Sequence, residues 1–476
     1  MSRGDSVRGV DASGGAVFRK IRGRDGVFAL ACLVAIGLYV LLAAALLRQP
    51  PSLSSDDGFN FARALTRFSV LDFSPHFPGY PVFVGLGRLV RLVVPDPVSA
   101  LQRTTTGVAL ALPWAAAWAA WSWTGARWAA LAAFGLTLMQ PILPALALSG
   151  LSDGTGLLFF VAFLALVLLA ERNAGGSVAA GLSLGLSAWA RPSYGLIQAG
   201  AWLVVVGRSP WRGSVILVGA IAVTMPVLAI LLSIEGWGYF REGLRFFEGH
   251  TLVWGNTALS GSSDGAGWGA VLLERPAVLA LLCLYAGAAV VSLAGERRRV
   301  AAPAIAAFAV SLVWMLAMQN PDNLRHLAPT LMLGGLLAAT MPGRRAVRAA
   351  VIGLALVLNS WLAATTWDLA DPRPAPLAAA SVALQDRAPA LLVTNQGVGF
   401  LRDRLNEVRV YDLFYPETAH AGVAASDLPA YRLTSTPIPA CELAAVFPGR
   451  AFGEPALLLY RLNRAGPAPV CEWEPQ

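Results

Sequence analysis

Charge is what this chain has least of. Of 476 residues only 13% are Asp, Glu, Lys or Arg, about half the roughly 25% of a soluble domain. With 56% hydrophobic residues and a mean hydropathy of +0.60, that shortage excludes a soluble globular protein, a disordered chain and a coiled coil. Lysine is nearly missing: Lys20 is the only one, so arginine carries the positive charge. Histidine is limited to His76, His250, His326 and His420. The four cysteines, Cys32, Cys283, Cys441 and Cys471, form no CxxC and no metal-spaced cluster. No Walker P-loop and no GxGxxG after a strand is present, so no nucleotide site is legible. Clear internal repeats, which transporters often carry, are missing too.

What is present is a series of apolar runs. A bilayer core of about 30 Å needs roughly 20 apolar residues in a helix. The first run, 27–47, follows Arg19, Lys20, Arg22 and Arg24. It is too long for the ~7–15 residues of a signal-peptide core and reads as a retained anchor, although Ala43–Ala45 resembles a cleavage site. Ten more runs fall near 98–121, 128–146, 154–170, 176–190, 194–207, 213–233, 276–295, 301–318, 326–341 and 346–366. From about 368 onward charge and proline rise and no run is long enough to span. The expected fold class is therefore an α-helical polytopic membrane protein of about eleven transmembrane helices with a small C-terminal α/β domain. Its expected parts are a cytoplasmic segment, 1–26, a transmembrane domain, 27–366, with an outer loop at 48–97, and an extracytoplasmic domain, 367–476.

The net charge is +8 and the pI near 9.7, which on a soluble chain would raise nucleic acid as a partner. Divided by segment it says something else. With the N-terminus in the cytoplasm, the inner segments carry sixteen Arg and Lys against five acids, net +11. The outer loops are neutral and the tail from 368 is −3. This is the positive-inside pattern. It reports orientation in a membrane, taken to be a bacterial inner membrane, and no nucleic acid is expected. An odd number of spans puts the tail and all four histidines on the outer face.

The outer loop carries the densest chemistry. After Asp56 the spacing is helical: Phe59, Phe61, Leu65 and Phe68 form an apolar side, and Asp56, Asn60, Arg63 and Arg67 a polar stripe. A helix lying at the membrane interface, apolar side in lipid, is expected. A second is expected at 79–94. The adjacent acids Asp56 and Asp57 fit a helix N-terminal cap as readily as a general base. Between the helices, Pro75-His76-Phe77-Pro78-Gly79-Tyr80-Pro81 cannot be regular helix.

A retained first span, an outer loop opening on an acid pair, an interfacial helix and a His-Pro-Gly-Tyr turn, in that order, resemble the GT-C glycosyltransferases. The similarity is to the protein O-mannosyltransferase and aminoarabinose-transferase type and covers roughly 27–340. The resemblance implies a membrane enzyme that takes a sugar from a polyprenyl-phosphate carrier on the outer face. It puts the general base at Asp56, with Asp57 beside it, and the turn at His76 to Tyr80, with Phe77 where the family often has Pro. It also makes Asp153, before the span at 154–170, a lining candidate and Arg191, in Ala190-Arg191-Pro192-Ser193-Tyr194, a candidate to bind phosphate by a bidentate contact. Helix capping by Ser152 or Asp153 and snorkelling of Arg191 remain the plain alternatives. In 319–329, QNPDNLRHLAP, Arg325 is the foremost phosphate-binding candidate and His326 its neighbour. Some relatives use a divalent metal; this sequence shows no dedicated ligand cluster, so metal dependence stays open.

The loop 234–275 reads as a lid or a plain connection. In the tail, helices are expected at 377–387 and 398–405 and strands at 390–394, 408–413 and 456–461. Cys441 and Cys471 are a disulfide or two thiols. The expected activity is sugar transfer from a lipid-linked donor to a glycan, lipid or protein acceptor; a transporter or flippase of lipid-linked sugar is the alternative.

Overall fold

A computed structural model describes residues 12–170, 173–249, 267–295, 298–321, 323–439 and 441–462, with backbone alone for 12–24 and 169. Residues up to Ala44 form one compact unit and Ala45 onward a second. The first unit consists, among its described residues, of most of helix α1 (Ala12–Arg48). The second holds, in order, α2 (Asp56–Thr66), α3 (Pro81–Arg91), α4 (Pro97–Thr124), α5 (Arg127–Leu138), α6 (Ile142–Leu148), α7 (Asp153–Ala170), α8 (Ala174–Ala190), α9 (Gly195–Arg208), α10 (Pro210–Glu235), α11 (Gly238–Glu248), α12 (Trp268–Leu273), α13 (Pro276–Ala294), α14 (Arg298–Met318), α15 (Ala328–Thr340) and α16 (Arg345–Thr366). The tail follows with α17 (Pro376–Gln385), β1 (Ala390–Thr394), α18 (Val398–Arg404), β2 (Val408–Asp412), α19 (Pro416–Ala424), β3 (Ala430–Thr434), β4 (Glu442–Phe447) and β5 (Leu457–Leu462).

Every apolar run falls on a helix, and the chain is an integral membrane protein. Among the described residues, five helices are long and apolar enough to cross a bilayer: Asp25–Arg48 within α1, then α10, α13, α14 and α16. A sixth is counted if α5 and α6, bent by 64° at their junction, make one span. Length and composition thus support fewer spans than the eleven expected, because several runs form short or broken helices. In the second unit, α4 packs on α7, α7 on α8 and α8 on α10. Gly181 and Gly219 allow the last contact: a side chain at Gly181 would run into the backbone of Ile216.

The outer loop folds as two short helices joined by the proline turn. Ser55, not an aspartate, caps α2: its Oγ accepts from Gly58 N at 3.3 Å. Asp56 and Asp57 occupy the first turn, where the helix dipole favours acids. The apolar side of α2 does not lie open for lipid. Phe61 and Leu65 are buried in one hydrophobic cluster with Tyr80, Phe83 and Val84, and the cluster runs on into Leu392 and Leu457 of the tail. Burying each such side chain contributes about 1.5–3 kcal/mol, so the loop is fixed by the protein beneath it.

The tail forms a five-stranded sheet of order β2-β1-β3-β5-β4. β1 runs parallel to β2 and β3, while β5 runs antiparallel to β3 and β4. β1 is buried along its whole length, as a parallel strand with neighbours on both sides requires. One side packs toward the outer loop; the other is covered by Ala419 and Val423 of α19. A polar link adds to this. Arg450, fully buried, holds Glu454 through Nη2 at 2.9 Å and Nε at 3.1 Å and donates through Nη1 to Ser52 Oγ at 2.9 Å. Ser52 Oγ also accepts from Ala375 N at 2.9 Å. The tail elements read from sequence are present, and α19, β3 and β4 are additional. Cys471 lies outside the described residues, so its relation to Cys441 does too.

Candidate active site

Adjacent residues on a helix project about 100° apart, and this separates Asp56 from Asp57. Asp57 turns toward the proline turn and the 3-10 helix Leu324–Leu327. Its Oδ1 lies 3.6 Å from His76 Nδ1 and its Oδ2 3.4 Å from Arg325 Nη2. Asp56 turns toward the tail, where its Oδ1 accepts from Phe400 N at 2.9 Å. Gly399 N also hydrogen-bonds this carboxylate.

The environments shift the two acids in opposite directions. Burial pushes the Asp56 carboxyl above its ordinary value; the N–H groups of Phe400 and Gly399 oppose this, and nearby Asp57 and Asp412 add to it. Burial works against the charge on Asp57 as well. There His76, Arg325 and Arg191 outweigh it and hold Asp57 below the ordinary carboxylate value. A raised carboxyl is a stronger proton acceptor, and a depressed one keeps its charge to lower pH.

His76 is buried, its Nε2 hydrogen-bonded to Tyr80 Oη at 3.1 Å. Tyr80 caps α3 from a left-handed backbone conformation, φ 46°. Such a conformation costs a bulky residue about 1–3 kcal/mol, here held by burial of the ring and the bond to His76. The expected lid region contributes α11, whose Phe246 ring stacks on His76 at 5.5 Å and 13°. Tyr239 Oη donates to Pro78 O at 3.3 Å, and Phe77 packs against Tyr239 and Gly243 of the same helix. His250 and the rest of that loop up to residue 266 lie outside the described residues.

Asp153 begins α7 and Arg191 follows α8. Both are buried, and Arg191 Nη2 lies 3.1 Å from Asp153 Oδ1. Ser152 Oγ accepts from Arg191 Nη1 at 3.3 Å, and Tyr194 Oη donates to Asp153 Oδ1 at 3.4 Å. Arg191 also sits 5.8 Å above the Tyr80 ring, which joins this pair to the His76 turn. Gly156 makes the approach possible: a Cβ there would stand 2.5 Å from that of Arg191. Asp153 Oδ2 and Arg191 Nε, both buried, have no hydrogen-bond partner. Arg191 is therefore paired in place and does not snorkel.

The tertiary structure thus places Asp57, His76, Tyr80, Asp153, Arg191 and Arg325 in one continuous set of contacts. Asp56 stands at its edge, and His326 beside Arg325 on the same 3-10 turn. Tyr194, Ser152, Phe246 and the Gly399–Phe400 backbone were not singled out by sequence as contributors. Tyr194 and Ser152 were visible as neighbours of Arg191 and Asp153; nothing in the sequence points from Phe400 to Asp56. A cavity of ≈260 Å³ opens on Asp56 and Asp57 and is walled from the tail by Asn395, Gln396, Gly397 and Glu454. Among the described residues no group of three His, Cys, Asp or Glu side chains is placed to hold a metal ion. Asp57 and Asp153 each face arginine, so this donor set does not fit a cation.

No protein-family model and no curated protein matches the sequence. Solved structures do. The ArnT of Cupriavidus metallidurans bound to undecaprenyl phosphate superposes with a TM-score of 0.54 at 14% identity, over 93% of this chain and 99% of that one. The same protein in the apo state gives 0.50 at 13% identity, over 92% and 98%. The archaeal oligosaccharyltransferase AglB from Archaeoglobus fulgidus, in complex with an inhibitory peptide and a dolichol-phosphate, gives 0.48 at 12%, over 84% and 69%. Nearly end to end, then, the chain has the fold of ArnT.

Proposed function

We propose that this protein is an inverting GT-C glycosyltransferase. It moves a sugar from a polyprenyl-phosphate carrier to an acceptor at the outer face of the membrane, with the tail on that face and about eleven spans beneath. The observation that carries the reading is the opposed setting of the two adjacent acids. Asp56, raised by burial, opens on a cavity; Asp57, depressed, sits among Arg325, His76 and Arg191. ArnT, whose fold this chain shares, binds undecaprenyl phosphate, and a polyprenyl phosphate is the donor carrier proposed here.

Asp56 takes the proton of the acceptor O–H as that oxygen attacks the anomeric carbon. The bond between the anomeric carbon and the phosphate oxygen breaks, and its electron pair leaves on the phosphate. Arg325, with His76 and His326 beside it, stabilises that charge. Asp57 holds Arg325 and His76 in place, and the Asp153–Arg191 pair with Tyr80 supports them from below. No step is routed through a metal.

Proteoliposomes carrying a radiolabelled polyprenyl-phosphate sugar test this. D56N is expected to lower transfer by ~10²–10⁴-fold while the protein still inserts. Undiminished transfer by D56N sinks the base assignment. Flux of the labelled lipid with no covalent product would instead establish the transporter alternative.

A further inference from the structure

The reaction needs an acceptor at Asp56, and the cavity there has a chemistry of its own. Its charged lining residues are Asp56, Asp57 and Glu454, all acidic. Among the described residues no arginine, lysine or histidine lines it, so a phosphorylated or otherwise anionic acceptor would meet a wall of carboxylates.

Nor does it carry surplus negative charge for a cation. Glu454 is paired with Arg450 at 2.9 Å, and Asp57 with Arg325 at 3.4 Å. Among the described residues no cation faces Asp56, and its carboxylate already takes the N–H groups of Phe400 and Gly399. What remains is a set of neutral hydrogen-bonding groups, Ser54, Ser55, Asn395 and Gln396, beside apolar surface from Leu377 and Leu457. Such a mixture matches the hydroxyls and the C–H face of a sugar ring. At ≈260 Å³ the space lies below the ~300–1,000 Å³ of drug-sized pockets, room for one ring.

We infer that this cavity is the acceptor subsite and that the acceptor is the neutral, hydroxyl-bearing end of a glycan. It is held jointly by the outer loop and the Asn395–Gly397 turn of the tail. This rests on the transferase reading above. It explains why the sheet is fastened to the loop at Ser52 and why α18 reaches Asp56: the tail forms half of the acceptor wall.

The full-length protein in proteoliposomes, supplied with radiolabelled polyprenyl-phosphate mannose or arabinose, is offered four acceptor probes. These are a neutral octyl glycoside, its phosphorylated analogue, an octyl glycosaminide and a Ser/Thr peptide. The neutral glycoside is expected to be glycosylated at least tenfold faster than the others. N395A, at an exposed residue, is expected to raise the KM for that glycoside about tenfold, the loss of one good hydrogen bond, and not the KM for the donor. Preference for the phosphorylated, amino or peptide probe overturns the acceptor class while leaving the transferase reading intact. An unchanged acceptor KM in N395A overturns the location. Absence of turnover with every probe refutes the transferase reading, and this inference with it.

Discussion

Removing the guanidinium of Arg450 tests whether the tail is held to the outer loop as described. Arg450 is completely buried, and its partner Glu454 is 12% exposed at the side chain. In R450M, Glu454 keeps its backbone bond from residue 450 at 2.7 Å but loses both charged donors. Ser52 Oγ loses the donor at 2.9 Å. Breaking a buried pair by removing one partner costs about 3–5 kcal/mol, because the remaining charge is stranded. For a unit that runs from Ala45 to Gln476, each kcal/mol moves a melting midpoint by roughly 1 °C. A fall of about 3–5 °C is therefore expected for R450M in detergent, read by scanning fluorimetry. The double variant R450M/E454Q removes the stranded charge and is expected to recover at least half of the loss. A shift under about 2 °C, or a double variant no better than the single, would refute the claim that this pair fastens the sheet.

Transfer is expected to fall as pH drops, with its midpoint above the ordinary carboxylate value, because burial raises Asp56 and only the ionised form accepts a proton; a pH–rate profile checks this. Asp57 is shifted the other way. Its pairing contributes stability that is present above the unfolded-state carboxylate value and is lost only as pH falls through the depressed folded value, as acid-unfolding curves of wild type and D57N should show. G156A puts a methyl 2.5 Å from Arg191 Cβ; such overpacking costs about 1–3 kcal/mol and is expected to depress transfer by displacing Arg191. R325A is expected to raise the donor KM more than tenfold, with R325K in between, because a lysine keeps the charge and loses the forked donor geometry.

Much of the fold is legible in the sequence because one-dimensional patterns specify it. Apolar runs mark helices, and Asp56 to Phe68 has helical period. Ala390–Thr394 is apolar but for its last residue and becomes a buried interior strand. β3 and β4 were not legible: β3 carries Arg432 in its middle, and β4 is an edge strand with little alternation in burial. The number of spans was not legible, because an apolar run reports burial as much as a bilayer, and Pro141 and its neighbours break one such run into α5 and α6. The apolar side of α2 has the look of a lipid-facing surface, yet it is buried against a sheet some 330 residues further along.

By itself the sequence determined that this is a membrane protein and which few polar residues require explanation. It also showed that two acids stand together at a helix start. Only the tertiary structure decided what each acid faces. Neighbours on a helix face different directions, and what lies in each direction comes from chain remote in sequence. Arg325, 268 residues away, meets Asp57, and Phe400, 344 residues away, meets Asp56. No local pattern encodes such contacts, since they depend on how the helices pack and where the tail folds back.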